Sequence, residues 1–485
     1  MTGLMRRAFV FANIEQYFVT LIGFINLFIV ARLLSPEEIG IAAIGVSLAT
    51  IALTVKEFVS SDFLIQRPSL SSADTATAFS MMAAVSLGIS AFLLLIASWV
   101  ETIYSQPGLA AFLRIMSIAA VFEAFFAPFQ AMVRRDMAFS TLAWVSATGA
   151  AATGGVTIAC ALSDFGFMSI AYGHASGAFI KAICAISIRP GVIPRRPSFA
   201  QWRAVVSFGS SMGSISVLDR IYVSMPQLIL GRTMPVSAVG YYNRASVLCA
   251  IPDRFMMSAV FSFAYPALAA SIRAGGDACA AYLRAQSYIS VVYCPALAMT
   301  ALLADPIVTF ALGPGWDTVI PLVRILSLAS IFWFPIIVTQ PMLFALGANR
   351  SAMIASFAGR GVGMVVLGGA SFIGLMALAY GQFLAIPFYA LVSLFVAHRH
   401  VRFSWAELAW VTSQSLVVLA CTVLVPTLFL VLYGEGLSMG LIHAVICAAL
   451  AASGWLFGIV VTRHPIRTEL RILTSYARRS VLRNS

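Results

Sequence analysis

Charge is what this chain has least of. Only 10% of its 485 residues are Asp, Glu, Lys or Arg, against 61% hydrophobic residues; a soluble domain carries roughly 25% charged residues. Such a composition excludes an ordinary aqueous surface, so lipid must solvate the chain. Metal-ligand and disulfide spacing are also missing. The seven cysteines, Cys160, Cys184, Cys249, Cys279, Cys294, Cys421 and Cys447, lie mostly inside apolar runs without CxxC or Cys/His patterns, as small core residues do. No Walker motif, zinc spacing or nucleophile–base pair stands out, which argues against an ATPase or hydrolase. No loop exceeds about 15 residues, leaving no room for an inserted soluble domain.

What is present is a series of apolar segments. They fall at roughly 8–33, 38–64, 75–99, 110–131, 139–162, 166–187, 204–231, 238–266, 284–304, 318–347, 351–374, 377–397, 408–433 and 437–462. A spanning helix needs about 20 residues, so these are fourteen expected transmembrane helices. MTGLMRRAFV has the basic flank of a signal peptide, but the following apolar stretch runs to Leu33 without a small-residue cleavage site and is kept as the first span.

The 30 basic residues exceed the 18 acidic ones, and their placement excludes nucleic acid as the reason. They sit mainly in short loops on alternate sides. With the N-terminus inside, the cytoplasmic segments hold twenty arginines, whereas the opposite loops have only Arg32 and Arg232 at their edges. That asymmetry predicts cytoplasmic termini. The tail from Arg463 to Ser485 mixes arginines with Leu470, Ile472, Leu473, Tyr476 and Leu482, as an interfacial helix or a frayed basic tail would.

One segment occurs twice. FLRIMSIAAVFEAFFAPFQAM (112–132) and LVRILSLASIFWFPIIVTQPM (322–342) share Arg114/Arg324, Ile115/Ile325, Ser117/Ser327, Ala119/Ala329, Phe122/Phe332, Gln130/Gln340 and Met132/Met342. The copies fall on the fourth and tenth spans, so the repeating unit is six helices and both copies have the same orientation. The expected fold is therefore an all-α polytopic membrane protein. It has an N-lobe over 1–195, a parallel C-lobe over 196–402, and two further helices with a basic tail over 403–485.

Several stretches resemble one family: ARLLSPEEIGIAAI at 31–44, LIQR with a downstream TAF at Thr77, PVSAVGYYNRA at 235–245, YPALA at 265–269 and LGPGWDTVIPLVRILSLA at 312–329. In order and spacing they are similar to the polysaccharide transporters, the Wzx-type lipid-linked oligosaccharide flippases of the multidrug/oligosaccharidyl-lipid/polysaccharide exporter superfamily. The resemblance implies a bacterial inner-membrane protein that moves an undecaprenyl-diphosphate-linked oligosaccharide from the cytoplasmic to the periplasmic leaflet. Membrane lipids, a polysaccharide polymerase and chain-length or export proteins are the implied partners. One departure is visible. Pro36 to Gly40 spans four positions but Pro235 to Gly240 spans five, which predicts an irregular entry into the eighth span.

Charges inside hydrocarbon are costly and normally face a protein interior or a wet cavity. Here they gather on the early helices of each lobe: Asn13, Glu15 and Gln16; Lys56, Glu57 and Asp62; Glu123; Asp219 and Arg220; Arg244, Asp253 and Arg254. Lys56, Arg220, Arg244 and Arg254 form an expected ladder of cations suited to a diphosphate. Glu15, Asp219 and Asp253 are candidate ion-coupling groups for H+ or Na+; no other cofactor is expected. The Asp219–Arg220 and Asp253–Arg254 pairs read equally well as structural clasps between the seventh and eighth helices. Glu123 has no acidic counterpart, since Trp333 aligns with it. Trp316 is the one tryptophan placed to touch a glycan. Two rival functions remain open: a cation-coupled multidrug exporter, and a non-transporting scaffold or polymerase component.

Overall fold

The computed structural model describes residues 3–59, 64, 71–194, 196–254, 276–433 and 439–469, without the side chains of residues 3–17, 72, 73, 192, 208, 211 and 212. Asp62, Arg67, Arg195, Arg273, the YPALA stretch, Glu435 and the tail from Leu470 lie outside the described residues. Those described are helical, with short 3-10 turns and no strand among them. In chain order the helices are α1 (Gly3–Leu33), α2 (Pro36–Thr54), α3 (Ser72–Tyr104), α4 (Leu109–Arg135), α5 (Phe139–Leu162), α6 (Met168–Ile188), α7 (Trp202–Thr233) and α8 (Val236–Cys249). After them come α9 (Ala278–Leu302), α10 (Ala304–Leu312), α11 (Val319–Ser330), α12 (Phe334–Ala345), α13 (Asn349–Ile373), α14 (Leu375–Val401), α15 (Trp405–Leu432) and α16 (Leu441–Val461). Among the described residues, ten helical segments are long and apolar enough to cross a membrane; the expected eighth span, 238–266, runs beyond the described residues after Arg254. The protein is multi-pass and all-α.

Local chemistry explains where the helices start. Ser35 and Glu38 form a capping box on α2, with Pro36 in the first turn, where its missing N–H is harmless. Ser71 with Asp74 opens α3, Ser404 with Glu407 opens α15, and the Asp277 carboxylate accepts from the amides of Cys279 and Ala280 at the start of α9. The tenth span is interrupted by a 3-10 turn, Ile331–Trp333, just before Pro335. Interior prolines at 128, 226, 295, 341, 387 and 426 each remove one backbone donor from their helices.

The entry into the eighth span is regular, contrary to the expectation from proline spacing. The α1–α2 break runs from Leu33 to Pro36 and the α7–α8 break from Thr233 to Val236. Gly40 and Gly240 are therefore equivalent. The prolines differ only in standing inside the first turn at Pro36 and one residue ahead of it at Pro235, because proline is compatible with either position.

The chain divides into two compact units. One contains Met1–Asn243, Ala311–Gly313 and Gly368–Leu378; the other contains Arg244–Phe310, Pro314–Leu367 and Ala379–Ser485. In the first, α4 packs on α3 and α6, and α5 lies between α1 and α6. In the second, α9 packs on α11, α12 and α15, and α15 pairs with α16. The core of the second unit includes Tyr282, Tyr293, Leu297, Met342 and Phe403.

Candidate functional site

The charge cluster that the fold assembles lies in the first unit. The last turn of α2 tightens into a 3-10 turn, Val55–Val59. Just before it, Thr50 and Thr54 donate their hydroxyls back to the carbonyls of Val46 and Thr50, bonds of a kind that bend helices. α7 presses on this turn through glycines. A Cβ at Gly213 would stand 2.8 Å from the Phe58 ring and 2.9 Å from its backbone nitrogen. The turn aims Lys56 at α4, where its Nζ donates to Glu123 Oε2 at 2.8 Å.

A second lysine arrives from α6. Lys181 Nζ donates to Glu123 Oε1 at 3.0 Å. Its stem passes Gly149, where an added Cβ would meet Lys181 Cγ at 2.5 Å, and its ammonium sits 4.9 Å from the Phe126 ring centroid. Phe122 and Phe179 meet edge to face beside it at 5.1 Å. Each carboxylate oxygen thus takes its own ammonium. All three side chains keep some access, 22% for Lys56, 25% for Lys181 and 18% for Glu123, so another molecule can reach them. His174, two turns before Lys181 on α6, is within electrostatic reach of Lys181 and Glu123.

These are the only two lysines in the sequence; the other 28 basic residues are arginines. Sequence reasoning named Lys56 and Glu123 but passed over Lys181, because a single cation inside a glycine- and alanine-rich span carries no periodic signal. The rarity of lysine itself was the available clue. The cluster has net charge +1, from two ammoniums and one carboxylate. Leaving one partner of such a group unpaired in a low dielectric is strongly unfavourable, so its members are mutually required while the site is empty.

The remaining candidates are placed as follows. Glu15 lies on α1 with its side chain outside the described residues. Asp219 is half-buried and Arg220 exposed on α7, both in the first unit. In the second unit, Arg244 on α8 is buried, at 8% exposure, and its Nε has no hydrogen-bond partner among the described residues. Asp253 is half-buried with Oδ1 equally unpartnered, next to an exposed Arg254. Trp316 is only 2% exposed; it packs in the core and does not offer a glycan platform. Arg114 is exposed and donates to Ser98 on α3 at 3.4 Å. No group of three or more potential metal ligands occurs among the described residues.

Comparison with known proteins adds the lineage. Residues 29–321 match the family described as polysaccharide biosynthesis protein. The chain belongs to that family. The resemblance to a polysaccharide family carried by the SPEEIG and GPGWD stretches, which lie within the matched residues, is thus borne out. It is 20% identical over 319 residues to the lipopolysaccharide biosynthesis protein WzxC of Escherichia coli (strain K12), covering 64% of this chain and 63% of that one. It is 24% identical over 338 residues to the succinoglycan biosynthesis transport protein ExoT of Rhizobium meliloti (strain 1021), covering 67% and 66%. Each match spans less than two thirds of the relative's length. In fold, the chain is similar to the lipid II flippase MurJ in an inward closed conformation, with a TM-score of 0.75 at 14% identity over 94% of this chain and 99% of that one. An inward-facing multidrug MATE transporter superposes with a TM-score of 0.63 at 14% identity, covering 79% and 94%. The two-lobe, all-α architecture expected from the internal repeat is the architecture of these proteins.

Proposed function

We propose that this protein is a flippase for polysaccharide assembly. It carries an undecaprenyl-diphosphate-linked oligosaccharide from the cytoplasmic to the periplasmic leaflet of a bacterial inner membrane, with both termini cytoplasmic, by alternating access. The observation that carries the proposal is the accessible net-positive cluster of Lys56, Glu123 and Lys181 within spanning helices of a polysaccharide-family protein. An anionic headgroup meets charge-assisted donors there, while an organic cation is repelled, so the cluster supports the flippase over the multidrug exporter. Lys56, Arg220, Arg244 and Arg254 are the headgroup-binding cations of this proposal. Arg244 is the strongest of them, because its buried Nε has donor capacity to offer. Glu15, Asp219 and Asp253 are the proposed groups for coupling to H+ or Na+. The polyprenyl tail stays in lipid, and a polymerase with chain-length or export proteins consumes the flipped product.

The test is translocation of labelled undecaprenyl-diphosphate-linked oligosaccharide in vesicles containing only this protein. Protein-dependent flipping is expected. Arg244→Gln is expected to reduce it at least tenfold while the protein is made and inserted at the normal level. Absence of flipping by the unaltered protein, or full activity of the Arg244 variant, refutes the respective assignments.

A further inference from the structure

The Lys56–Glu123–Lys181 cluster contains its own counter-anion. We propose that Glu123 is an exchangeable occupant of a diphosphate site: the two ammoniums hold its carboxylate while the site is empty and transfer to phosphate oxygens when cargo enters. This inference deepens the proposed function and rests on its reading of the cargo headgroup as a diphosphate.

The geometry points there in three steps. First, one carboxylate fixes two ammoniums from different helices, at 2.8 and 3.0 Å, so they are no further apart than those bonds and the carboxylate's own width allow. Two cations that close repel each other. Glu123 holds them converged before any ligand arrives.

Second, each ammonium has three donors and no acceptor, and the contact with Glu123 uses one donor of each lysine. The rest remain for a ligand, and the partial exposure of both side chains gives it an approach. Phe126, 4.9 Å from Lys181 Nζ, presents only a ring face and cannot compete with phosphate oxygens. A diphosphate brings more negative charge and more acceptor oxygens than one carboxylate, so it wins the lysines and repels Glu123 from between them.

Third, a transporter must release what it binds. A site with two unopposed lysines would hold a diphosphate too firmly; the returning carboxylate competes for the same donors and lowers the barrier to release. Glu123 is thus a positioning residue whose charge sets the balance between capture and release. The second repeat has Trp333 at the aligned position, so the device belongs to one repeat alone.

The chain's lysine content makes the test direct. Lys56 and Lys181 are the only side-chain amines, so acetylation by acetic anhydride, read by mass spectrometry on protein in nanodiscs, reports on this site alone once the N-terminal amine is set aside. Inorganic diphosphate is the probe. In the unaltered protein it is expected to protect both lysines together, with a single midpoint concentration. In Glu123→Gln, which keeps the shape but removes the charge, the midpoint is expected to fall at least tenfold while flipping of lipid-linked oligosaccharide slows. Lys181→Gln should weaken diphosphate protection of Lys56 at least tenfold, and Lys181→Arg should restore most of it. An unchanged or raised midpoint in Glu123→Gln, with the variant eluting as a monodisperse peak, overturns the exchange. Should that variant fail to fold, the Lys181 pair decides: equal protection of Lys56 in Lys181→Gln and Lys181→Arg overturns it equally. Flipping by the unaltered protein without diphosphate protection of either lysine sinks this inference and leaves the flippase standing. Diphosphate protection without flipping does the reverse.

Discussion

The starts of α2 and α8 approach so closely that each depends on the other's glycine. A Cβ on Gly240 would collide with the Pro36 carbonyl, its carbon 2.9 Å away, with the Gly40 nitrogen at 3.3 Å; a Cβ on Gly40 would meet Val236 Cγ1 at 2.8 Å and the Val236 carbonyl carbon at 2.9 Å. The carbonyl groups are helical backbone, which cannot rotate away as a long side chain can. Replacing both glycines with alanine therefore pushes the helix starts apart. Overpacking of this kind costs about 1–3 kcal/mol. If the transport cycle requires these ends to meet in one state and part in another, that energy falls only on the state in which they meet. The population then shifts toward the separated state by a factor of about 5–150. The assay is thiol labelling of Ala238→Cys, a position that is 6% exposed, by a membrane-impermeant maleimide in a background without the native cysteines. Labelling in Gly40→Ala/Gly240→Ala should rise within that range over the glycine parent, and flipping should slow. Equal labelling rates with and without the alanines would refute the reasoning.

Two further perturbations probe the second unit. His464, just beyond α16, is 1% exposed; its Nδ1 accepts from the Ile466 amide at 3.3 Å, which puts the ring proton on Nε2, 2.8 Å from Ser287 Oγ on α9. Burial pushes this imidazole from its ordinary 6.5 down to about 4. The docked turn therefore keeps full stability above pH 6.5 and loses it as pH falls from 6.5 toward 4, by up to about 3 kcal/mol at 1.36 kcal/mol per unit. Hydrogen exchange at the Ile466 amide should quicken between pH 7 and pH 5 beyond the intrinsic trend, and His464→Gln should flatten that excess; constant protection across the range counts against it. Gly454 and Gly458 bring α16 against α15, with Cβ positions 3.1 Å from the Cys421 carbonyl carbon and 2.9 Å from Val418 Cα. Gly454→Leu should lower the apparent melting temperature of purified protein by forcing the helices apart, at a cost of at least about 1–3 kcal/mol; an unchanged melt removes that contact from the account.

The helices were readable because lipid imposes length and apolarity on every span, and the architecture was readable because duplication left FLRIMSIAAVF and LVRILSLASIF in register. Equivalent glycines were harder to see. Pro36 and Pro235 drew attention as matching punctuation, but helix starts tolerate proline at neighbouring positions, whereas close backbone approach tolerates only glycine. The site was legible in part. Lys56 and Glu123 were conspicuous as charges in apolar sequence, yet their pairing joins residues 67 positions apart and brings in Lys181, 58 from Glu123. No local period encodes such a meeting. Trp316 was misplaced for a related reason: a tryptophan in a glycine turn near a span end is placed to touch a glycan, and only tertiary packing shows it to be core.

The repeats share a scaffold and diverge in chemistry at matched positions. At Glu123 the first repeat holds two lysines. At the aligned Trp333 the second repeat holds an aromatic ring that meets Tyr389 edge to face at 5.6 Å. The Tyr389 hydroxyl in turn accepts from Gln340 at 2.8 Å and from Arg360 at 3.2 Å, with Ser356 at 3.2 Å. Gln340 is one of the residues preserved from the repeat, and its amide also donates to Ser356 at 2.9 Å. Four helical segments are thereby tied through a hydrogen-bonded tyrosine that carries no net charge, whereas the first repeat ties three through a carboxylate that a stronger anion can displace. The Tyr389 hydroxyl is a neutral acceptor and is not itself a carboxylate for a ligand to displace, whereas an ionic tie yields to any more highly charged anion that reaches it. Duplication alone would have given two equivalent anion sites. With Trp333 in place of the second glutamate, the ionic exchange is confined to one repeat, and the other keeps its helices together while that exchange occurs.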